Sequence, residues 1–143
     1  MEKRINQENF INVQMDLQGL DVNTLSPLVL AFIGDGVFDL VIRTLVVEKG
    51  NAPVNKMHKR VSNMVKAPAQ AQLYWKIEEK LSQEEERIFK RGRNAKSYTS
   101  AKNAKMSEYR IATGLEALVG YLYLTNNFTR ILELITYGLE SDK

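Results

Sequence analysis

The chain has 143 residues, the size of one domain, which buries roughly 70% of its unfolded surface around a single core. Twenty Lys and Arg against 17 Asp and Glu leave a net charge of +3, too little by itself to argue for a nucleic-acid partner, so the placement of charge has to decide. The absence of cysteine excludes a disulfide framework, a thiolate nucleophile and a cysteine-based zinc site, which suits a reducing cytoplasm.

The N-terminal stretch MEKRINQENFINVQ has no apolar segment of the signal-peptide kind. The longest apolar run is broken by Gly34, Asp35, Gly36 and Asp39, too early for a membrane span, so a cytoplasmic protein with no membrane partner is expected. Residues 1–22 read as an arm, partly mobile and ordered near Leu17 and Leu20, ahead of a single domain over 23–143. Ser26 followed by Pro27 is a helix start, and Gly50 supplies the stop, which leaves one helix of about six turns between them. Its apolar residues, from Leu28, Val29, Leu30 and Phe32 to Val46 and Val47, surround the axis, the pattern of a central buried helix covered by others. Ala31, Asp35, Asp39 and Arg43 are four apart and give that helix one polar stripe.

After Pro53, the spacing of Val54, Met57, Val61, Met64 and Val65 predicts a second helix, which Pro68 ends or from which it starts the next. Leu73, Tyr74, Ile77 and Leu81 mark a third. Ser82 with Glu85 forms a capping box for a short charged helix expected to stop at Gly92. The segment RNAKSYTSAKNAKM has no apolar periodicity and reads as a long loop, of a length more often functional than merely connective. Helical spacing returns from Ser107 with Ile111, Leu115, Leu118, Val119 and Leu122, and from Asn127 with Ile131, Leu132, Ile135 and Leu139. No strand alternation and no internal repeat occur, so the class is all-α.

A second acid sits in apolar surroundings at Glu116, with Gly114, Ala117 and Gly120 nearby. Small residues at these spacings allow close helix contact, so this helix is expected to lie against the glycine-flanked Asp35 and bring two carboxylates face to face. Such a pair needs cationic company, and Mg²⁺ or Mn²⁺ held by carboxylates and water is the natural supply. The alternatives are a plain i,i+4 ion pair between Asp39 and Arg43, and solvent-facing positions for Asp35 and Glu116. His58, the only histidine, lies in the basic turn MHKR and reads as a surface residue.

Between Arg87 and Arg110 stand Lys90, Arg91, Arg93, Lys96, Lys102 and Lys105 against a single acid, Glu108. Clustered cations with Asn94, Ser97, Thr99 and Asn103 as extra donors form an electrostatic footprint for phosphates, the alternative being a solvated charge run. Tyr98 alone is no stacking platform, so a duplex suits the segment better than single-stranded bases.

The stretch AFIGDGVFDLVIR resembles the signature helix of the ribonuclease III domain, and LEALVGYLYL resembles its second acidic helix. KRGRNAKS, its spacing to YRIATGLEALVGYLYL, and MHKR are similar to the Mini-III branch of that family, over about residues 20–138. The resemblance implies a homodimeric, all-helical endoribonuclease with a helical bundle and no double-stranded-RNA-binding domain, cutting double-stranded RNA with Mg²⁺, for which Mn²⁺ can substitute. It implies maturation of the 23S ribosomal RNA precursor as the role, with a ribosomal protein as a candidate helper. It carries Asp35 over as the essential aspartate and Glu116 as the metal-binding glutamate. The basic residues Arg91, Arg93, Lys96, Lys102, Lys105, Lys59 and Arg60, with Asn94, are the expected RNA contacts. Ala31 and Thr113 stand where the larger family has two further acids, a reduction shared by the Mini-III branch, which leaves water or Asp39 to complete the metal's shell. A non-catalytic RNA-binding protein on the same domain is the rival reading.

Overall fold

The computed structural model describes residues 9–95 and 105–140. Helices form throughout, with no strand among the described residues, so the all-α class holds. Helix α1, Phe10–Gln14, is short and held by a reciprocal cap in which the Asn9 and Asn12 side chains accept from each other's backbone N–H at 3.1 and 3.2 Å. Leu17 and Leu20 are exposed, and the buried anchor of this region is Val22, in the 3₁₀ turn Val22–Thr24.

Helix α2, Pro27–Glu48, begins as the sequence predicts. The Ser26 hydroxyl accepts from the Val29 N–H at 3.2 Å, and Pro27 occupies the first turn, where no N–H is needed. Gly50 follows the C-cap with φ +105°, a conformation glycine adopts without strain. Helix α3, Val54–Val65, runs directly into α4, Ala67–Ile77, and Pro68 starts α4 rather than ending α3. Leu81 lies outside α4, beyond the 3₁₀ turn Glu78–Lys80.

Helix α5, Gln83–Asn94, carries the expected capping box, with Ser82 and Glu85 bonded reciprocally at 3.1 and 2.9 Å. It does not stop at Gly92. A Cβ there would lie 2.7 Å from the Ala117 Cβ and 3.0 Å from the Gly114 Cα, so this glycine serves close packing and the helix continues two residues further.

Helices α6, Met106–Leu124, and α7, Phe128–Glu140, complete the bundle. The centre belongs to α6, which packs against α2, α4, α5 and α7. The sequence pattern points instead to α2 as the covered helix, and α2 is only half covered. Leu30, Val37, Phe38, Val41 and Ile42 are buried, whereas Val29, Phe32, Leu40 and Val47 face outward, Phe32 with 80% of its surface exposed. An apolar residue on every face of a helix records burial without saying whether the cover comes from the same chain.

Two polar ties hold α5 in place. Arg130 on α7 donates to both Glu85 oxygens at 2.7 and 2.9 Å and to the Lys80 carbonyl at 2.8 Å. The Tyr74 ring stacks on Phe89 with centroids 3.9 Å apart while its hydroxyl donates to Glu86 at 3.1 Å. Among the described residues no helix is long and apolar enough to cross a membrane.

Candidate active site

Helix α2 crosses α6 in direct backbone contact, and glycine makes it so. A Cβ at Gly34 would overlap the Glu116 carbonyl oxygen and come within 2.7 Å of the carbonyl carbon. A Cβ at Gly120 would in turn overlap the Leu30 carbonyl oxygen. Backbone therefore lies on backbone, and Asp35, the residue after Gly34, meets the Glu116 side chain across the crossing. The face-to-face carboxylates expected from the small-residue spacing are present.

The two acids differ in setting. Asp35 is exposed, within the length of α2, while Glu116 is largely withdrawn from solvent. Burial, followed by the charge of Asp35 and a hydrogen bond to it, pushes the Glu116 carboxyl up to about 7; a hydrogen bond from Gln70 pulls the other way. The Gln70 Nε2 donates to Glu116 Oε2 at 3.0 Å and to the Val65 carbonyl at 2.8 Å. Gln70 carries no charge and belongs to no motif, so the sequence gives only a weak signal of it, its position four before Tyr74 and seven before Ile77 on the buried face of α4.

Asp39 does not join the pair. Its Oδ2 accepts from Arg43 Nε at 2.6 Å, the plain i,i+4 ion pair, and among the described residues no third Asp, Glu, His or Cys forms a metal-holding group with any two others. The site is a two-carboxylate arrangement lying over a buried amide.

Residues 28–127 match the family described as Ribonuclease III domain. The chain belongs to the ribonuclease III family. Among relatives of this ribonuclease III chain is a protein named Mini-ribonuclease 3 from Clostridium tetani, 48% identical over 116 residues that span 80% of this chain and 77% of the relative. Another of that name, from a Thermoanaerobacter strain, is 50% identical over 119 residues, 83% of this chain and 84% of the relative. A crystal structure of a Fusobacterium nucleatum protein superposes with a TM-score of 0.76 at 32% identity, covering 86% of this chain and 98% of the other. As a ribonuclease III, the chain is an endoribonuclease.

Within the ribonuclease III domain, the two positions that lack the wider family's acids are occupied structurally. Ala31 is buried, and the Thr113 hydroxyl donates to the Tyr109 carbonyl at 3.1 Å, within its own helix. The basic candidates fall in three places. Arg91, Arg93 and Asn94 are on the last turn of α5 and not in a loop, and Gly92 presses that turn onto the α6 turn 113–117 that bears Glu116. Arg93 Nε donates to Asn94 Oδ1 at 3.1 Å. Lys105 caps α6 and is exposed; Lys59 and Arg60 are exposed on α3, as is His58. Lys96 and Lys102 lie outside the described residues.

Proposed function

We propose that this protein hydrolyses phosphodiester bonds in both strands of double-stranded RNA at the Asp35–Glu116 pair. The observation that carries the reading is the meeting of these two carboxylates at the glycine-lined crossing of a ribonuclease III fold.

The donor set suits a hard divalent cation. Carboxylate oxygens without nitrogen or sulfur favour Mg²⁺, with Mn²⁺ as substitute, and two protein ligands leave the remaining coordination to water and phosphate, as is usual for Mg²⁺. Beside the pair, Gln70 donates to Glu116 through Nε2, and its Oε1 is buried with no partner among the described residues. Asp35 and Glu116 would hold the cation. When bound, it supplies neutralisation of phosphate charge and acidifies water for attack. Asp35, on the exposed side, meets the incoming phosphate backbone; Glu116, in lower dielectric, binds a cation the more strongly for its burial. Arg91, Arg93 and Asn94 at the end of α5, and Lys59 and Arg60 on α3, hold phosphates of the duplex, whose shape and 2′-hydroxyls rather than sequence are read.

The outward stripe of α2, with Val29, Phe32, Gly36 and Leu40, supports a homodimer in which a second copy covers it. Gly34 and Gly120 are used within the chain, by the α2–α6 crossing, and are not part of that stripe. The reading carries the ribosomal RNA precursor as substrate and the cytoplasm as compartment.

The two-member acid set is the one observation that favours the rival, a binding protein without chemistry. Incubation with duplex RNA, with and without Mg²⁺, decides between them. Products with 5′-phosphates only when Mg²⁺ is present, and loss of cutting but not of binding in Asp35→Asn, are expected. Tight binding with no cleavage in Mg²⁺ or Mn²⁺ would leave the rival standing.

A further inference from the structure

Helix α4 places Gln70 among Ala71, Leu73, Tyr74 and Ile77 on its buried side, with only 2% of the residue exposed. A buried amide is costly unless its polar atoms are matched, by roughly 1–3 kcal/mol for each unmet group. Both of its N–H bonds are matched. One reaches the Val65 carbonyl at 2.8 Å and the other the Glu116 carboxylate at 3.0 Å. The Val65 carbonyl can only accept, so the amide nitrogen must face it, and the flipped orientation is excluded on chemical grounds. Oε1 is then left buried with no partner among the described residues, held by the rigid amide within about 5 Å of the Glu116 oxygen that Nε2 contacts.

We infer that Gln70 is a positioning residue of the nuclease site, clamping the Glu116 carboxylate against the fixed backbone of Val65. The inference rests on the reading of Asp35 and Glu116 as the cation-holding pair. A glutamate side chain on a helix has several rotamers, and the like charge of Asp35 favours those that turn away. Two hydrogen bonds through one planar group remove that freedom, because Val65 ends α3 and Gln70 sits in the second turn of α4. The neutrality of the amide matters too. A lysine here would neutralise Glu116 and compete with the cation, and a third carboxylate would add repulsion, whereas glutamine orients the acid without changing the charge of the pair.

The test measures Mn²⁺ binding to the RNA-free protein by electron paramagnetic resonance, for the parent, Gln70→Met, Gln70→Asn and Glu116→Gln, with circular dichroism to confirm folding. Methionine keeps the volume and removes both hydrogen bonds; asparagine keeps an amide one methylene too short to span both partners. Both should weaken Mn²⁺ binding by about tenfold or more, the effect usual for a group that orients a metal ligand. The Mn²⁺ concentration for half-maximal cleavage of duplex RNA should rise by the same factor. If Gln70→Met does not fold, Gln70→Asn decides alone. Loss of binding in Glu116→Gln with parental affinity in a folded Gln70 variant overturns the inference and leaves the site reading intact. Mn²⁺ binding that does not depend on Glu116 overturns the site reading and the inference with it.

Discussion

Gly34 on α2 and Glu116 on α6 meet backbone to backbone, with no room between them for a single carbon atom. This contact brings the neighbouring Asp35 to the Glu116 side chain, so the packing of the core and the assembly of the site are one event. Gly34→Ala should therefore cost about 3 kcal/mol or more, because a methyl group against a carbonyl cannot be relieved by a rotamer change. Gly36, two residues on, faces open space. Gly36→Ala should cost far less than Gly34→Ala, since no atom of its own chain opposes the methyl group and alanine adds up to about 1 kcal/mol of helix propensity. Urea unfolding of the two variants checks the contrast, and equal effects would show that Gly34 and Glu116 do not meet backbone to backbone.

The buried acid makes the metal-free protein pH-sensitive in a definite direction. The folded chain holds the Glu116 proton more tightly than the unfolded chain, with its carboxyl raised from the ordinary 4.5 to about 7 by burial above all. That contribution to stability is fully present below about pH 4.5 and is lost as pH rises through 7. Glu116→Gln, which has no charge to bury, should match the parent near pH 5 and melt about 5 °C higher at pH 8. Mg²⁺ should close the gap at pH 8 by stabilising only the parent. Thermal melts at the two pH values, with and without Mg²⁺, make the comparison; a gap that widens toward acid pH would contradict it.

The parts of this molecule that were legible in its sequence are those decided locally. Ser26 with Pro27, and Ser82 with Glu85, cap helices through contacts three residues away, so the residues alone specify them. Gly92 has the composition of a helix stop, yet its role depends on Ala117 across the bundle, which no local rule contains. Asp35 and Glu116 announce themselves as charges in apolar surroundings. Gln70 does not, since an uncharged amide at a buried position is visible only once its partners on α3 and α6 are known.

A pattern can also be read correctly and assigned to the wrong cover. The all-round apolar surface of α2 predicts burial, and within one chain Phe32 and Leu40 remain 80% and 60% exposed. If a second copy covers this stripe, Phe32→Glu with Leu40→Glu should give a folded monomer at micromolar concentration by light scattering, with duplex cleavage reduced at least tenfold. A double variant that stays dimeric would place the interface on another face.

If the end of α5 holds the substrate as proposed, holding and cutting can be separated by substitution. Arg91 and Arg93, proposed to hold phosphates, stand on a helical turn fixed to α6 through Gly92, so no segment would have to order before they made contact. Each phosphate contact releases counterions, and its loss flattens the dependence of log affinity on log salt by about one unit. Arg91→Ala with Arg93→Ala should lower that slope by about two units while cleavage at saturating duplex falls far less than affinity. Fluorescence anisotropy across a salt series and single-turnover cleavage separate the two effects. Normal binding with lost cleavage would mean that this turn, lying against the α6 turn that bears Glu116, acts on the scissile phosphate itself, and the division between an acidic crossing that cuts and a basic helix end that holds would have to be abandoned.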